Sequence, residues 1–354
     1  MLIKNSQFVN NEANISGSAL SNVLFVDQGS TVQISSCTFD RNVFVYGAIS
    51  ILHSSMNISN CLFTNNIAYG DTGAIFVYVS QVDISASVFS NNMAFYDGGV
   101  INSMLSSLRI TGSNFSHNAA EHFGGVMVIV EGITHVASSS FINNTADYGG
   151  VVEMYETTFH VADGIFSNNR AKYSGGVVAT YASSLNIVDV IFSHNVAELD
   201  GGVMYTYKDS FHIANSTFRN NSASANGGVL YSFEGGSFSI ASTMFAFNTA
   251  EYNGGIVSTH EGGHFHVVDS IFKNNMAELR GGVMSTSACS LHIANSIFNG
   301  NAATDAGGVF GADDSTFHIA DSTFINNKAL HGGCLLYTSP SPRDATLSRM
   351  PSSA

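Results

Sequence analysis

Residues 265–284 read Phe-His-Val-Val-Asp-Ser-Ile-Phe-Lys-Asn-Asn-Met-Ala-Glu-Leu-Arg-Gly-Gly-Val-Met, and they are one copy of a unit that fills most of the chain. The mark of the unit is an Asn three residues after a Phe, here Asn275 after Phe272. This pair occurs thirteen times between Phe8 and Asn327, and most successive Phe residues are 26 residues apart. A period this steady indicates that one structural unit is stacked on copies of itself.

The remaining positions of the unit predict short β-strands. Counted from the Phe, Ile or Val stands at −5, Ser, Thr or Cys often at −2, and Ala at +5 in twelve of the thirteen copies. From the fourth copy onward a Gly-Gly pair follows, and Val or Ile comes next in nearly every copy. The segments 265–267 and 270–272 and the Val-led segment after Gly281-Gly282 alternate with period 2, which is typical of strands. No segment shows helical spacing over the ~11 residues that a helix prediction needs.

Three strands and three turns in about 26 residues predict an all-β fold, in which each unit forms one coil of a three-sided parallel β-helix. Residues 1–333 are expected to form this single domain, with about 13 coils. Stacked Phe rings would form a column inside the rod, each worth roughly 1.5–3 kcal/mol when buried. Gly-Gly would permit a positive φ and a tight corner.

The Asn at +3 is predicted to lie at a turn, where Asn tolerates a left-handed backbone. A column of Asn can also pass hydrogen bonds from one side-chain amide to the next, as stacked Asn does in cross-β structures. The predicted structural ladder consists of Asn11, Asn42, Asn66, Asn92, Asn118, Asn144, Asn169, Asn195, Asn221, Asn248, Asn275, Asn301 and Asn327.

A leucine-rich-repeat-like solenoid is the alternative fold, because Ile-x-x-Ser-x-Phe-x-x-Asn-x-Ala has the spacing of L-x-x-L-x-L-x-x-N-x-L. Three differences count against it. Ser or Cys replaces Leu at the second core site, Gly-Gly-Val has no place in that template, and no helix pattern follows. These differences favour the β-helix.

Cysteine and histidine recur at fixed places in the coil. Cys37 and Cys61 both stand at −2 in successive coils, so we expect their side chains to lie one above the other inside the rod. They are either small apolar fillers or an inter-coil disulfide, since strands about 4.8 Å apart are within disulfide reach. His266, His292 and His318 stand at −6 and form an outward file. This file is either a surface stripe or a weak candidate for a metal or pH-sensitive site.

Residues 334–354 abandon the period and hold all three prolines of the chain. The segments 334–344 and 348–354 resemble translated sequencing adapter. We therefore expect a non-native, disordered tail and exclude it from the fold. Because the period stops inside a repeat and Met1 stands only seven residues before the first Phe, we expect both natural ends to lie outside this sequence.

The pairing of Phe-x-x-Asn with Gly-Gly-Val or Gly-Gly-Ile resembles the repeats of the chlamydial polymorphic outer membrane proteins, which alternate Phe-x-x-Asn with Gly-Gly-Ala-Ile/Leu/Val. Phe63-Thr-Asn-Asn66 with Gly73-Ala-Ile comes near to that form, whereas most copies read Gly-Gly-Val-Val or Gly-Gly-Val-Met. The resemblance covers roughly residues 6–333. It implies a right-handed parallel β-helix of the pectin-lyase-like superfamily. It also implies a secreted or surface-exposed stalk, in bacteria an autotransporter passenger used in adhesion at the outer membrane.

The first hypothesis for function is therefore an adhesive or structural module that contacts a host-cell surface or glycans through many weak sites. We expect no catalytic residues and no cofactor, and contact with a membrane only through a segment outside this sequence. A net charge of −14 argues against binding to nucleic acid. The alternative is a polysaccharide-binding or polysaccharide-cleaving β-helix protein. Its weakness is that the only adjacent acid pair, Asp313-Asp314, has no Lys or Arg at a matching position on neighbouring coils.

Overall fold

Short strands, repeated turn after turn, build the whole fold. The computed structural model describes residues 1–12 and 22–338, which form a parallel β-solenoid of about 12 turns with about 26 residues per turn. All secondary-structure elements in these described residues are strands. Within them there is accordingly no helix of the length and apolarity needed to cross a membrane. The predicted all-β, three-sided β-helix is confirmed, and the leucine-rich-repeat alternative is wrong.

The largest sheet, sheet A, has 24 strands and takes two strand segments from most coils. One segment follows the Gly-Gly corner or its equivalent: Leu24–Val26, Ile49–Leu52, Ile75–Tyr78, Ile101–Met104, Met127–Val130, Val152–Tyr155, Val178–Tyr181, Val257–His260, Met284–Ser287, Phe310–Asp313 and Leu335–Thr338. The other precedes the Phe: Leu2–Lys4, Thr31–Ser35, Ser55–Ser59, Gln81–Ser85, Ser107–Thr111, Ile133–Ala137, Thr158–Ala162, Ser184–Val188, Gly263–Val268, Cys289–Ala294 and Thr316–Ala320. Two long strands, Met204–Ala214 and Leu230–Ala241, run through both segments.

Sheets B and C form the other two sides of the rod. Sheet B has 13 strands and carries the Phe column: Gln7–Val9, Thr38–Asp40, Leu62–Thr64, Val88–Ser90, Asn114–Ser116, Ser140–Ile142, Ile165–Ser167, Ile191–Ser193, Thr217–Arg219, Met244–Ala246, Ile271–Lys273, Ile297–Asn299 and Thr323–Ile325. Sheet C has 11 strands of two residues: Val43–Phe44, Ile67–Ala68, Met93–Ala94, Ala119–Ala120, Thr145–Ala146, Arg170–Ala171, Val196–Ala197, Ser222–Ala223, Thr249–Ala250, Met276–Ala277 and Ala302–Ala303.

Most coils contain the three predicted strands and a fourth that was not predicted. In the quoted unit, Gly263–Val268, Ile271–Lys273 and Met284–Ser287 correspond to the predicted segments. Met276–Ala277 is the additional strand. Two residues are too few to show an alternation in sequence, so only pairing with the equivalent residues of the next coil defines this strand.

The described structure extends into the predicted tail. Leu335–Thr338 pairs in parallel with Phe310–Asp313, and the backbone N–H of Phe310 donates to the Cys334 carbonyl oxygen at 2.9 Å. Residues after Gly333 therefore continue the strand pairing as far as Thr338, beyond the predicted boundary. Residues 339–354 lie outside the described residues, and the non-native origin of 334–354 stays a prediction.

A continuous column of Phe rings forms one side of the core. From Phe8 to Phe324, every ring stacks on the ring of the next coil, with centroids 4.5–5.2 Å apart. The rings between the two ends of the column are buried, for example Phe115 and Phe218 at 0% exposure. Parallel pairing in register brings equivalent residues of adjacent coils side by side, so one Phe per coil suffices to build the column.

The Asn at +3 forms a hydrogen-bonded ladder that runs the whole length of the Phe column. Each Asn Nδ2 donates to the Oδ1 of the Asn in the next coil, at 2.7–3.1 Å. The same Nδ2 donates to the carbonyl oxygen of the Phe in the preceding coil, as Asn195 does to Phe166 at 3.0 Å. Oδ1 also accepts the backbone N–H of the preceding Asn, as Asn195 does from Asn169 at 3.0 Å. The ladder thus satisfies the buried backbone groups of this corner.

At this corner the residue with a left-handed backbone, that is, a positive φ, is the one at +2. The prediction that placed this conformation at +3 was wrong. Asn65, His194 and Asn274 have φ of 55°, 58° and 53°, whereas the ladder residues Asn66 and Asn195 are not among the residues with positive φ. The residue at +2 turns the chain with its side chain outside the rod. The Asn at +3 then points inward, where its amide can reach both neighbouring coils.

A second polar column at −2 includes the two predicted cysteines. In this column Ser87 Oγ accepts the backbone N–H of Cys61 at 3.1 Å and donates to the Ser85 carbonyl oxygen at 2.8 Å. Cys37 and Cys61 are buried free thiols, and Cys61 Sγ accepts the backbone N–H of Cys37 at 3.4 Å. Each sulfur therefore takes the place of a Ser hydroxyl, and the inter-coil disulfide is not formed in this structure.

The two glycines of the Gly-Gly corner are needed for different reasons. Gly201 has a φ of +67°, a conformation that other residues adopt only at a cost. At Gly202, a Cβ would lie 2.3 Å from the Gly228 carbonyl oxygen and 2.6 Å from that of Ser222. The second glycine is therefore required by the close approach of adjacent coils.

We predict that Asn195→Ala lowers the free energy of unfolding by about 3–5 kcal/mol, because the backbone N–H and side-chain amide of Asn169 and the Phe166 carbonyl lose a buried partner. The exposed neighbour His194→Ala is the matched control and should change it by less than about 1 kcal/mol. Urea unfolding followed by circular dichroism measures both. Equal losses in the two variants would contradict the ladder.

We also predict that Gly202→Ala lowers the free energy of unfolding by at least about 2 kcal/mol, because the methyl group overlaps two backbone carbonyls. Gly112→Ala is the control, since its φ is +56° but no atom lies within 4 Å of the added Cβ. That variant should lose only about 1 kcal/mol. A thermal melt in which both variants behave alike would show that the coils separate enough to admit a side chain.

Candidate functional site

Beside the Gly-Gly corner, sheet A carries three columns of side chains that change from coil to coil. The floor column is the second residue of the strands after the corner and comprises Asn102, Val128, Glu153, Ala179, Tyr205, Tyr231 and Ser258. The aromatic column is two residues further on and comprises Tyr155, Tyr181, Tyr207, Phe233 and His260. The rim column precedes the corner and comprises Asp97, Phe123, Tyr148, Ser174, Asp200, Asn226 and Asn253. Residues two apart in a strand point to the same face, so the floor and aromatic columns face outward together.

The aromatic column changes its packing along the rod. Tyr181 and Tyr207 stack with centroids 4.7 Å apart, and Phe233 and His260 stack at 5.1 Å. Tyr155 and Tyr181 are 6.3 Å apart and tilted by 35°, so their rings are not in face-to-face contact. These two rings are also partly open to solvent, at 37% and 43% exposure.

A cavity of about 360 Å³ lies where the three columns break their pattern. In the floor column, Ala179 stands between Glu153 and Tyr205, so a small side chain separates two large ones. In the rim column, the small Ser174 follows Tyr148, whose ring packs instead on Tyr173 at 5.1 Å. The cavity is lined by Phe123, Tyr148, Glu153, Met154, Tyr155, Ala179, Thr180, Tyr181, Tyr205 and Tyr207.

Glu153 is the titratable acid of this cavity. It is only 6% exposed, Oε1 accepts the hydroxyl of Tyr155, and Oε2 is buried without a hydrogen-bond partner. Burial raises the pKa of Glu153 to about 8, against the lowering effect of the Tyr155 hydrogen bond, and the nearby Asp97 raises it further. Burial also raises the pKa of Tyr155 above its ordinary value, as does its hydrogen bond to Glu153. At neutral pH Glu153 is therefore a protonated carboxyl that can both donate and accept.

Two acids of the rim column flank the cavity. Burial raises the pKa of Asp97, and Asp71 in the preceding coil raises it further, while Asp97 Oδ1 has no hydrogen-bond partner. Burial also raises the pKa of Asp200, although Asn226 opposes this by donating both its side-chain and backbone N–H to Oδ1 at 3.0 Å. Asn253 Nδ2 donates in turn to Asn226 Oδ1 at 3.0 Å. The rim is thus acidic and polar around an aromatic cavity.

Asp209 is a further buried carboxyl, at the corner between the two strand segments of sheet A. Ser183 occupies the equivalent place one coil earlier, and its backbone N–H donates to Asp209 Oδ1. The backbone N–H of Tyr207 donates to Oδ2 at 2.8 Å. Burial nevertheless raises the pKa of Asp209 to about 7.

The structure separates the histidine file and the acid pair from this cavity. His266, His292 and His318 are exposed and lie in register in consecutive coils, with the last two rings 5.5 Å apart. Across residues 1–12 and 22–338, no three His, Cys, Asp or Glu side chains come close enough together to hold a metal ion. No Lys or Arg stands at the position matching Asp313 on the neighbouring coils, but Arg280, from another position of the repeat, places its Nη1 3.5 Å from Asp313 Oδ2. Arg280 directly precedes a Gly-Gly corner, as the residues of the rim column do. The sequence does not show that this position faces the end of the strand in the next coil, where Asp313 lies.

Sequence reasoning missed the cavity, although one signal was present. Val-Val-Glu-Met-Tyr155, Val-Val-Ala-Thr-Tyr181 and Val-Met-Tyr-Thr-Tyr207 place an aromatic residue at the same position of three successive coils. Superposing the repeats would have revealed this column. The rim residues could not be assigned in the same way, since only the turn of the corner brings them opposite the aromatic column.

Two family matches agree with this geometry. The family described as right handed beta helix region matches residues 21–189, and the Chlamydia polymorphic membrane protein repeat matches residues 215–232. The predicted resemblance to polymorphic membrane protein repeats is confirmed, and the solenoid is a right-handed parallel β-helix. No curated protein matches the chain.

We predict that the free energy of unfolding falls as pH rises from about 4 to about 8. Glu153 and Asp209 have folded pKa values of about 8 and about 7, above their ordinary values of 4.5 and 3.8. The folded chain therefore holds protons that the unfolded chain has released, and deprotonation favours unfolding. Urea midpoints measured across this pH range test the effect.

Glu153→Gln and Asp209→Ser should each flatten this pH dependence, because each removes one buried titrating group. Ser is chosen at 209 because Ser183 occupies the same place in the preceding coil. Glu121→Gln, which changes an exposed carboxyl, is the control. Unchanged slopes in both test variants would contradict the assignment of protonated carboxyls.

Proposed function

We propose that this chain is a non-catalytic β-helical stalk, secreted or displayed on a cell surface, that adheres through many weak contacts. The observation that carries the proposal is the outward column of aromatic side chains, repeated at successive turns from Tyr155 to His260. A rigid rod that presents similar groups at regular intervals gains avidity from several weak contacts made at once. The match to the Chlamydia polymorphic membrane protein repeat supports a location at the outer membrane or surface.

The partners we propose are glycans or other components of a host-cell surface. Tyr and Phe are well suited to such contacts, because they combine a large apolar area with few rotatable bonds. The net charge of −14 disfavours nucleic acid, which attracts Lys and Arg. Contact with a membrane would be made by a segment outside this sequence.

A polysaccharide-cleaving enzyme is the second candidate, and Glu153 is the residue that favours it. A carboxyl with a raised pKa in a cleft is what a general acid requires. Glycoside cleavage also needs a second carboxylate across the scissile bond. Asp200 is held by two hydrogen bonds from Asn226, and Asp313 is paired with Arg280. Asp97 is near enough to raise the pKa of Glu153, but it does not line the cavity. We therefore favour a binding function over a polysaccharide-cleaving one.

We predict that the chain coupled at high density to beads binds host cells or a glycan array about 10²- to 10⁴-fold more tightly than the free chain, because several sites engage together. Bead retention and surface plasmon resonance measure the difference. Heat-unfolded chain on the same beads is the control. Failure of the beads to bind any cell or glycan would overturn adhesion, and release of reducing ends from a bound polysaccharide would favour the enzyme.

A further inference from the structure

We infer that the cavity over Ala179 binds one residue of an uncharged glycan, and this inference deepens the adhesive function proposed above by naming its ligand and its site. The cavity is the place where the repeat is interrupted. Most coils reuse the same core residues, but the floor column changes from Glu153 to Ala179 to Tyr205 within three turns. The cavity is therefore specific to this level of the rod, and it adds a shaped pocket to the aromatic column that several coils share.

The shape of the cavity fits a flat ring. Its volume of about 360 Å³ is near the lower end of small-molecule sites, which is about 300 Å³. Tyr155 and Tyr181 form one wall and Tyr148 lies on the rim opposite. One face of Tyr181 is covered by Tyr207 at 4.7 Å, but the face turned toward Tyr155 is not, because those two rings are 6.3 Å apart and tilted. Because the side chain of Ala179 is small, the cavity extends inward beside these tyrosines.

Aromatic walls suit the apolar face of a sugar ring. The face of an aromatic ring carries partial negative charge, and the axial C–H groups of a pyranose carry partial positive charge, so the two attract each other. Ala179 adds apolar surface at the base. A ligand that stacks on tyrosine and also carries hydroxyl groups would use both the walls and the carboxyl of Glu153.

The carboxyl of Glu153 supplies the polar contact. Glu153 lines the cavity, and its Oε2 is buried without a hydrogen-bond partner, which costs free energy until rotation of the carboxyl brings this oxygen to a ligand hydroxyl. A hydroxyl group can both donate and accept, so it can pair with this oxygen in either protonation state. The side chain is 6% exposed, so only a group that enters the cavity can reach it.

The lack of a cation in the cavity lining selects against anionic ligands. The described residues that line it include no Lys, Arg or His. Lys208 lies 4.9 Å from the ring of Tyr207, but it is paired with Glu234 at 2.8 Å. A polyuronate or a sulfated glycan would lose its water in the cavity without a cation to compensate its charge. The ligand class is therefore an uncharged glycan.

The test is calorimetric titration of the whole chain with hexasaccharides of glucose, mannose, xylose and N-acetylglucosamine, and with hexagalacturonate. We expect at least one uncharged hexasaccharide to bind and hexagalacturonate to bind more weakly. Ala179→Tyr, which places in the cavity the residue found at 205 and 231 of the same column, should weaken binding at least about tenfold. Tyr181→Ala should weaken it at least about threefold through loss of one wall.

The matched control is Val128→Tyr, which adds the same ring to the floor column outside the cavity and should change the affinity by less than about twofold. Circular dichroism melts confirm that each variant is folded. The inference is overturned if no uncharged hexasaccharide binds, if hexagalacturonate binds best, or if Ala179→Tyr and Tyr181→Ala both bind as the unaltered chain does. Beads that bind cells equally with and without Ala179→Tyr would overturn this site while leaving the adhesive function intact.

Discussion

The buried Asn ladder is the constraint on which the rest of the rod depends. A corner inside a stack of coils leaves backbone N–H and carbonyl groups without partners, and a buried unpaired group costs about 1–3 kcal/mol. Each Asn amide supplies one donor to the coil before it and one to the coil after it, as Asn195 does toward Phe166 and Asn221. No other uncharged side chain except Gln combines two donors with an acceptor, so the position tolerates little else.

The ladder also explains where variation is allowed. Once the corner, the Phe column and the Gly-Gly approach are in place, the outward residues of sheet A are free to differ from coil to coil. Glu153, Ala179 and Tyr205 occupy the same position in successive coils without disturbing the strand register. The stability of the rod and the chemistry of its surface are therefore controlled by different residues.

Repetition made the fold predictable from the sequence, and the same repetition concealed the site. The Phe and Asn columns follow directly from parallel stacking, because equivalent residues must meet. One error was local: the left-handed residue is His194 and not Asn195. The contact of Arg280 with Asp313 was not predicted, because the two residues stand at different positions of the repeat. The protonated state of Glu153 could not be predicted, since it depends on burial by neighbouring coils, which outweighs the lowering effect of the Tyr155 hydrogen bond. A single coil does not show this burial.

The one-to-one pairing of amides also restricts how such a rod can change its length. Each Asn of the ladder must lie beside the Asn of the next coil, and each Phe of the column beside a Phe. The second glycine of each Gly-Gly corner must lie against the carbonyl of another glycine, as Gly202 does against Gly228. Removal of a whole period keeps all of these partners, whereas removal of half a period mismatches all of them at once. A gene that encodes this fold can therefore lengthen or shorten by unequal recombination between repeats, in steps of one coil. The distance between a binding site and the surface that carries it would then change in the same discrete steps.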